Sequence, residues 1–260
     1  MEFAGKVVMI TGASQGIGAA CVQELRKRGA RLALVARSAD KLRQLAGEGD
    51  LALPGDVTIA EDRHRVVQAT LDRYGRIDVL INNAGVGLYA PAWQAPLDEV
   101  RRMYELNFFA PLGMVQLVTP GMRVQRSGTI VNIASIAGKV TLPWLTLYSA
   151  SKYALGSLTD GLRMELRRDG IHTMTVFPGY VSTSFQDHVL HGQPPEHVRR
   201  TKAFKITPER CAADIVKGME RQARTVVTPF SGWAFVILER LLPGWVDRRL
   251  ENIYFRGLKS

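Results

Sequence analysis

Lys6-Val7-Val8-Met9-Ile10 runs directly into Thr11-Gly12-Ala13-Ser14-Gln15-Gly16-Ile17-Gly18, and that stretch into a helical pattern from Ala19 to Arg28. The first five residues read as a short buried strand. A strand, a glycine-rich turn and a helix in succession form the setting of a nucleotide-phosphate loop. Glycines at positions 12, 16 and 18 let the backbone turn tightly and come close to a phosphate. The helix N-terminus behind them supplies N–H donors and partial positive charge.

Working outward, Arg31 to Ala36 reads as a second strand. An acidic residue soon after it would bond the ribose 2′-hydroxyl of NAD. The sequence instead reads Ala36-Arg37-Ser38, with no acid until Asp40. The planar guanidinium of Arg37 suits a 2′-phosphate, which favours NADP(H) over NAD(H). The alternative is a surface arginine opening the next helix. After the helical stretch Ala39 to Gly47 come Leu51-Ala52-Leu53 and Pro54-Gly55-Asp56-Val57-Thr58, with Thr58 as the expected cap of a helix running to Tyr74. Ile77 to Ile81 is a further strand ending in Asn82-Asn83-Ala84-Gly85. Strands alternating with helices of this length predict a single α/β domain, a doubly wound, mostly parallel sheet with helices on both faces. Ligands are then expected at the C-terminal ends of the strands.

In the second half, Tyr148 and Lys152 lie four residues apart in a helical pattern marked by Ala150, Ala154, Leu155, Leu158, Leu162 and Leu166. Residues at that spacing share a helix face. A tyrosine of ordinary pKa exchanges protons poorly near neutrality, and a neighbouring cation is expected to lower that pKa. The strand Thr129 to Ala134 delivers Ser135 to its C-terminal edge. A helix from Leu97 leads through Asn107 to another ending near Arg126, and the strand His172 to Phe177 leads into Pro178-Gly179-Tyr180-Val181-Ser182-Thr183. Pro208 opens a helix to about Arg221, and Thr225 to Thr228 is the last strand.

Taken in order, the glycine loop, Asn82-Asn83-Ala84-Gly85, Asn107, Ser135, Tyr148-x-x-x-Lys152 and Pro178-Gly179 followed by Thr183 resemble the short-chain dehydrogenase/reductase family over about residues 5 to 185. The resemblance implies a single-domain Rossmann fold over residues 1–229 and interconversion of a ketone or aldehyde with an alcohol by hydride transfer. It assigns Ser135 to the substrate oxygen and Tyr148 to proton donation or acceptance. Lys152 would tune the tyrosine and hold the nicotinamide ribose, while Asn107 would position a water leading to solvent. The other reading of Asn107 is an asparagine at a helix kink, bonding its own backbone. Cofactor contacts are expected at Gly12, Ser14, Gln15, Gly16, Ile17, Gly18, Arg37, Asp56, Val57, Asn83, Ala84, Gly85, Tyr148, Lys152, Pro178, Gly179, Val181 and Thr183. Family members pair through long helices, so a homodimer or homotetramer is expected, with a mobile substrate lid at about residues 184–206. A 3-oxoacyl-thioester reductase and a non-catalytic dinucleotide sensor are the competing readings. The intact Ser135, Tyr148 and Lys152 set speaks against the sensor, which has no use for a proton donor.

The chain has 260 residues and 46% hydrophobic content, enough for one large α/β core. Its two cysteines, Cys21 and Cys211, offer no disulfide framework or metal spacing and fit a reducing, cytoplasmic compartment. No signal peptide is read at the start. Net charge is +10, which suits anionic ligands, yet no nucleic-acid-binding motif accompanies it. His188 and His191 have metal-compatible spacing but no further ligand cluster beside them, so no metal is expected. Residues 230–260 form an amphipathic extension with Phe230, Trp233, Phe235, Ile237 and Leu238. It is too short to span a bilayer. It could lie in a membrane interface beside Arg248, Arg249, Arg256 and Lys259, or pack over the substrate mouth or a subunit neighbour. Similar extensions in the steroid- and lipid-directed branch of the family suggest a hydrophobic substrate.

Overall fold

The computed structural model describes residues 1–193 and 205–257, with backbone only at 256 and 257. Seven strands form one sheet in the order β3-β2-β1-β4-β5-β6-β7. They are β1 (Val7–Thr11), β2 (Arg31–Ala36), β3 (Leu51–Pro54), β4 (Val79–Asn82), β5 (Gly128–Ile133), β6 (Ile171–Pro178) and β7 (Thr225–Thr228). Every pairing is parallel, as expected for strands joined through crossover helices. The chain reverses its direction of winding between β1 and β4, and a crevice opens there at the C-terminal ends of the strands.

The helices are α1 (Gly16–Arg26), α2 (Ala39–Leu45), α3 (Ala60–Tyr74), α4 (Leu97–Tyr104), α5 (Ala110–Gln125), α6 (Thr146–Leu166), α7 (Pro208–Glu220), α8 (Gly232–Leu241) and α9 (Pro243–Gly257). Successive strand residues point to opposite faces, and the two cores follow that period. Val8, Ile10, Leu32 and Leu34 pack against α1 and α7 through Leu25, Ile215 and Met219. Met9, Ala33, Val35 and Leu80 pack on the other face against Met114, Val118, Leu162 and Leu166. Each large side chain sealed this way contributes roughly 1.5–3 kcal/mol relative to exposure. Cys21 and Cys211 are free and buried in the first layer, and burial raises both thiol pKa values, Cys21 to about 12.

Two local expectations are corrected. Thr58 does not cap α3: Ile59 holds the N-cap position without a side-chain cap bond. The Thr58 hydroxyl instead donates to Asp56 Oδ1 at 2.8 Å, alongside the Asx-turn bond from Thr58 N, which takes the oxygen away from the helix. Helix α1 starts at Gly16, three residues before the periodic pattern Ala19 to Arg28, because apolar periodicity is silent over glycine. The glycines at positions 16 and 18 therefore belong to its first turn.

A buried polar chain sets α6 against the sheet. Asn82 Nδ2 on β4 donates to Asn132 Oδ1 on β5 at 2.8 Å, and Asn132 Nδ2 donates to Thr159 Oγ1 on α6 at 2.9 Å. All three residues are buried, so each bond is costly to leave unmade. The chain thereby fixes the register of the helix that carries Tyr148 and Lys152.

Candidate active site

The glycine loop is held from β4. Asn83 Nδ2 donates to Thr11 O and Gly12 O, both at 3.0 Å. Thr11 Oγ1 accepts from the backbone N–H of Asn83 at 3.0 Å and of Ala84 at 3.1 Å. Gly12 has φ +63, and a Cβ there would lie 2.9 Å from Ala84 Cα, so only glycine fits this approach. Gln15 caps α1 with extended backbone and no side-chain cap bond, which leaves the first-turn N–H groups for an anion. Ser14, Gln15, Gly16 and Ile17 are all partly exposed around that mouth, and Gly18 is buried beneath it. Thr183 stands against the loop, its Cγ2 3.1 Å from where a Gly16 Cβ would be.

Arg37 follows β2 directly, is exposed, and has no ion-pair partner among the described residues. Lys41, one turn on, donates to Gln15 Oε1 at 3.3 Å. Lys41 is a second cation beside the loop, not expected from the sequence. Its signal was the four-residue spacing from Arg37. Asp56 Oδ1 accepts from Thr58 N at 2.9 Å, and Val57 is buried, both beyond the end of β3. Pro178 ends β6, Gly179 N donates to Thr228 O at 2.8 Å, and Val181 bridges to Ile206. The cradle, the free helix N-terminus and the exposed arginine together fit a phosphate-bearing dinucleotide.

At the ends of β4 and β5 the four expected catalytic residues come together. Ser135 follows β5, accepts from Ala137 N at 3.2 Å, and has its hydroxyl close enough to the Tyr148 hydroxyl to act on its pKa. Lys152 Nζ donates to Ile133 O at 3.0 Å and stands 5.8 Å from the Tyr148 ring centroid. Asn107 sits in a π-helical turn, Glu105–Phe109, between α4 and α5. Such turns often occur at functional sites. Its side chain does not bond its own backbone. Oδ1 accepts from Val86 N at 2.9 Å, while Nδ2 donates to Val86 O at 2.9 Å and Ser151 Oγ at 3.1 Å. A Cβ on Gly85 would lie 3.2 Å from both Asn107 Oδ1 and Lys152 Nζ, so the two polar groups flank that glycine and need it small.

The electrostatics overturn one expectation. Burial pushes the Tyr148 phenol up, opposed only by the nearby Ser135 hydroxyl. The same burial pushes Lys152 down to about 8. The lysine does not lower the tyrosine pKa here, because desolvation dominates for both groups.

The sequence model of the short chain dehydrogenase family matches residues 6–194. The chain belongs to that family. Dehydrogenase/reductase SDR family member 7B of Danio rerio is 33% identical over 269 residues, covering 98% of this chain and 85% of the relative. A short chain dehydrogenase/reductase from Burkholderia phymatum, solved in complex with NAD, superposes with TM-score 0.85 at 26% identity, covering 92% of this chain and 94% of its own. A short chain dehydrogenase from Burkholderia cenocepacia, solved in complex with NADP, gives TM-score 0.82 at 27% identity over 96% of this chain and 99% of its own. As a short chain dehydrogenase, this chain is an oxidoreductase.

The mouth of this dehydrogenase is apolar and aromatic. Leu88, Leu142, Phe185 and Leu190 pack around Tyr148. The Phe185 ring centroid is 5.9 Å from that of Tyr148. Tyr89 is buried near the Tyr148 hydroxyl and shares Gln186 with Tyr180. Phe185, Tyr89 and Gln186 were not singled out from sequence, since nothing in a loop's local pattern says which residues face the crevice. The first part of the expected lid is pinned to the loop after β4: Leu190 N donates to Gly87 O at 3.0 Å and Tyr89 N to His191 O at 2.9 Å. Residues 194–204, with His197, lie outside the described residues. His188 Nδ1 lies 2.8 Å from Ser184 O, and no cluster of three metal-ligating side chains occurs among the described residues.

The extension reaches the same mouth. Tyr254 on α9 packs against Trp144 in a tilted pair, 37° between planes with centroids 4.8 Å apart, and meets Trp93 edge-on at 6.5 Å. Trp144 has φ +59, unusual for so bulky a residue, and its carbonyl accepts from Ala90 N at 2.9 Å. No described helix is long and apolar enough to cross a membrane.

Proposed function

We propose that this chain is an NADP(H)-dependent oxidoreductase interconverting a ketone or aldehyde and an alcohol on a hydrophobic substrate. The observation carrying the proposal is the meeting of Ser135, Tyr148 and Lys152 at the end of β5, next to the Asn83-braced loop. The dinucleotide, when bound, supplies or takes up the hydride. The rest falls to the protein. The Ser135 hydroxyl orients the substrate oxygen against the Tyr148 hydroxyl. A raised tyrosine pKa keeps that phenol protonated at neutral pH, the form required to donate during reduction. Lys152, held at Ile133 O, sets a cation beside the ring and is placed for a ribose hydroxyl. Asn107, next to Gly85 and Lys152, holds Val86 in place and lines a route by which the proton can be restored. Apolar residues around Tyr148 exclude water from the reacting carbon.

Arg37 and Lys41 support NADP(H) over NAD(H), since both present cations where a 2′-phosphate would extend from the loop. The aromatic mouth supports a bulky apolar carbonyl over the thioester alternative. Pairing of copies belongs to the same proposal. Phe109, exposed at the end of the π-helical turn before α5, and Met164, exposed on α6, support it, and sedimentation velocity checks it. The catalytic test is NADPH oxidation at the nicotinamide absorbance over small ketones, aromatic aldehydes, acetoacetyl thioesters and ring ketones, with Tyr148→Phe as control. Turnover lost in the variant supports the reading. NADPH binding without turnover on any carbonyl class would favour a sensor.

A further inference from the structure

Helix α8 is apolar on two sides. Its inner side holds Trp233 and Val236, packed with Ile136, Val140 and Val246. Its outer side carries Ala234, Ile237 and Leu241, in line with Phe230 one turn earlier. Spacings of four, three and four put these on one stripe. Phe230 is 81% exposed, Ile237 51% and Leu241 73%. Leu242 and Trp245 extend the apolar surface into the start of α9. Arg248 and Arg249 lie one turn beyond Trp245 on its face, and the Arg249 guanidinium stands 5.0 Å from the indole centroid. Arg240 flanks the stripe on α8. One acidic residue, the exposed Glu251, lies a turn beyond Arg248, and the other two are turned elsewhere. Glu239 is half-buried and acts on Tyr153 of α6, and Asp247, two residues after Trp245, does not share its face.

We propose that this outer face of α8 and the start of α9 docks onto an anionic lipid bilayer. At ten residues, α8 reaches about 15 Å, half the hydrocarbon thickness, so it lies in the interface and does not span it. An apolar stripe rimmed by arginines, with a tryptophan at their junction, suits that depth. A second copy meeting the stripe would bring together two patches rimmed by Arg240, Arg248 and Arg249, like charge against like. An anionic surface removes that conflict, in keeping with the net charge of +10. The stripe is already formed, because Val236 and Val246 anchor both helices to Val140. Little ordering is therefore left to oppose binding. The unit that docks also carries Tyr254 at the substrate mouth, though docking holds whichever substrate the site takes.

The test is flotation of the full chain with phosphatidylcholine vesicles, with and without phosphatidylglycerol. The wild type should float with the anionic vesicles and be released by high salt. Ile237→Glu combined with Leu241→Glu should stay behind while keeping its circular dichroism and turnover. If that variant does not fold, Arg248→Gln with Arg249→Gln serves, and its partitioning should fall roughly 30-fold, from about 1 kcal/mol per cation. Flotation unchanged in the variants overturns the proposal, as does no flotation of the wild type. A wild type that self-associates through this face without binding vesicles, and a monomeric glutamate variant, would overturn it in favour of a second copy.

Discussion

Lys152 holds its ammonium 5.8 Å from the Tyr148 ring centroid, and burial shifts the two groups in opposite directions, the phenol up and the lysine down to about 8. The site therefore keeps a protonated donor beside a cation that the protein destabilises. That tension gives the first prediction.

Lys152→Met should raise stability at pH 7 while abolishing turnover. The lysine's folded pKa lies below its ordinary value of 10.5, so the unfolded chain binds more protons between about 8 and 10.5. Wild-type stability should accordingly rise with pH through that window, and the penalty is fully present below it. The shift corresponds to about 3 kcal/mol, less the cost of leaving Ile133 O without its donor. Urea unfolding of both proteins at pH 7 and pH 10 measures the difference. Parallel pH profiles would mean that Lys152 carries no such penalty.

Tyr148→Phe should retain NADPH binding and lose roughly 100-fold or more in turnover, the usual worth of a positioned proton donor. Binding by nicotinamide fluorescence, measured beside kcat, separates the two effects. An active phenylalanine variant would remove Tyr148 from the proton step.

Arg37→Asp should weaken NADPH roughly 10- to 100-fold while changing NADH little, the scale of a hydrogen bond to a charged group. Lys41→Ala should add a smaller loss in the same direction, because its ammonium is already engaged with Gln15. Equal losses for both cofactors would place the 2′-phosphate elsewhere.

Asn132→Ala should cost about 1–3 kcal/mol, since it removes two buried hydrogen bonds and leaves Asn82 Nδ2 only Pro111 O at 3.4 Å and Thr159 Oγ1 only Leu155 O. Urea midpoints check this. A drop in kcat under fully folded conditions would show that the chain also positions α6. An unchanged midpoint would show that the two groups find other partners.

Tyr254→Ala should raise KM for ring ketones several-fold and leave small ketones nearly unchanged. The Trp144 and Tyr254 pair is worth about 0.5–1.5 kcal/mol, and it supports the rim of the mouth rather than the reacting groups. A uniform loss of kcat across substrates would instead point to a general disturbance of the site.

Much of the fold was legible in the chain because its signals are local. Buried parallel strands are continuous apolar runs, and helices repeat every three to four residues, so β1, β2 and α6 could be placed from their own residues. The glycines after β1 announced a phosphate loop for the same reason: a tight turn is a property of consecutive residues. Asn107, Ser135, Tyr148 and Lys152 were found as an ordered set. Single positions near turns were less secure. Thr58 looked like a cap but bonds Asp56, since a hydroxyl has two local choices and the backbone decides between them.

From its own residues the chain announced the order of strands and helices, the glycine loop and the set of candidate reacting side chains. Only the tertiary structure decided their electrical state and surroundings. Burial of Tyr148 and Lys152 reversed the expected pKa relation, because desolvation is summed over residues from the whole chain. Asn107 gained Val86 and Ser151 as partners, and Asn82, Asn132 and Thr159 became one chain, through contacts between elements distant in sequence. Tyr254 arrived at the mouth by the path of α9. Periodicity reports which face of an element is buried; it carries no information on which other element buries it.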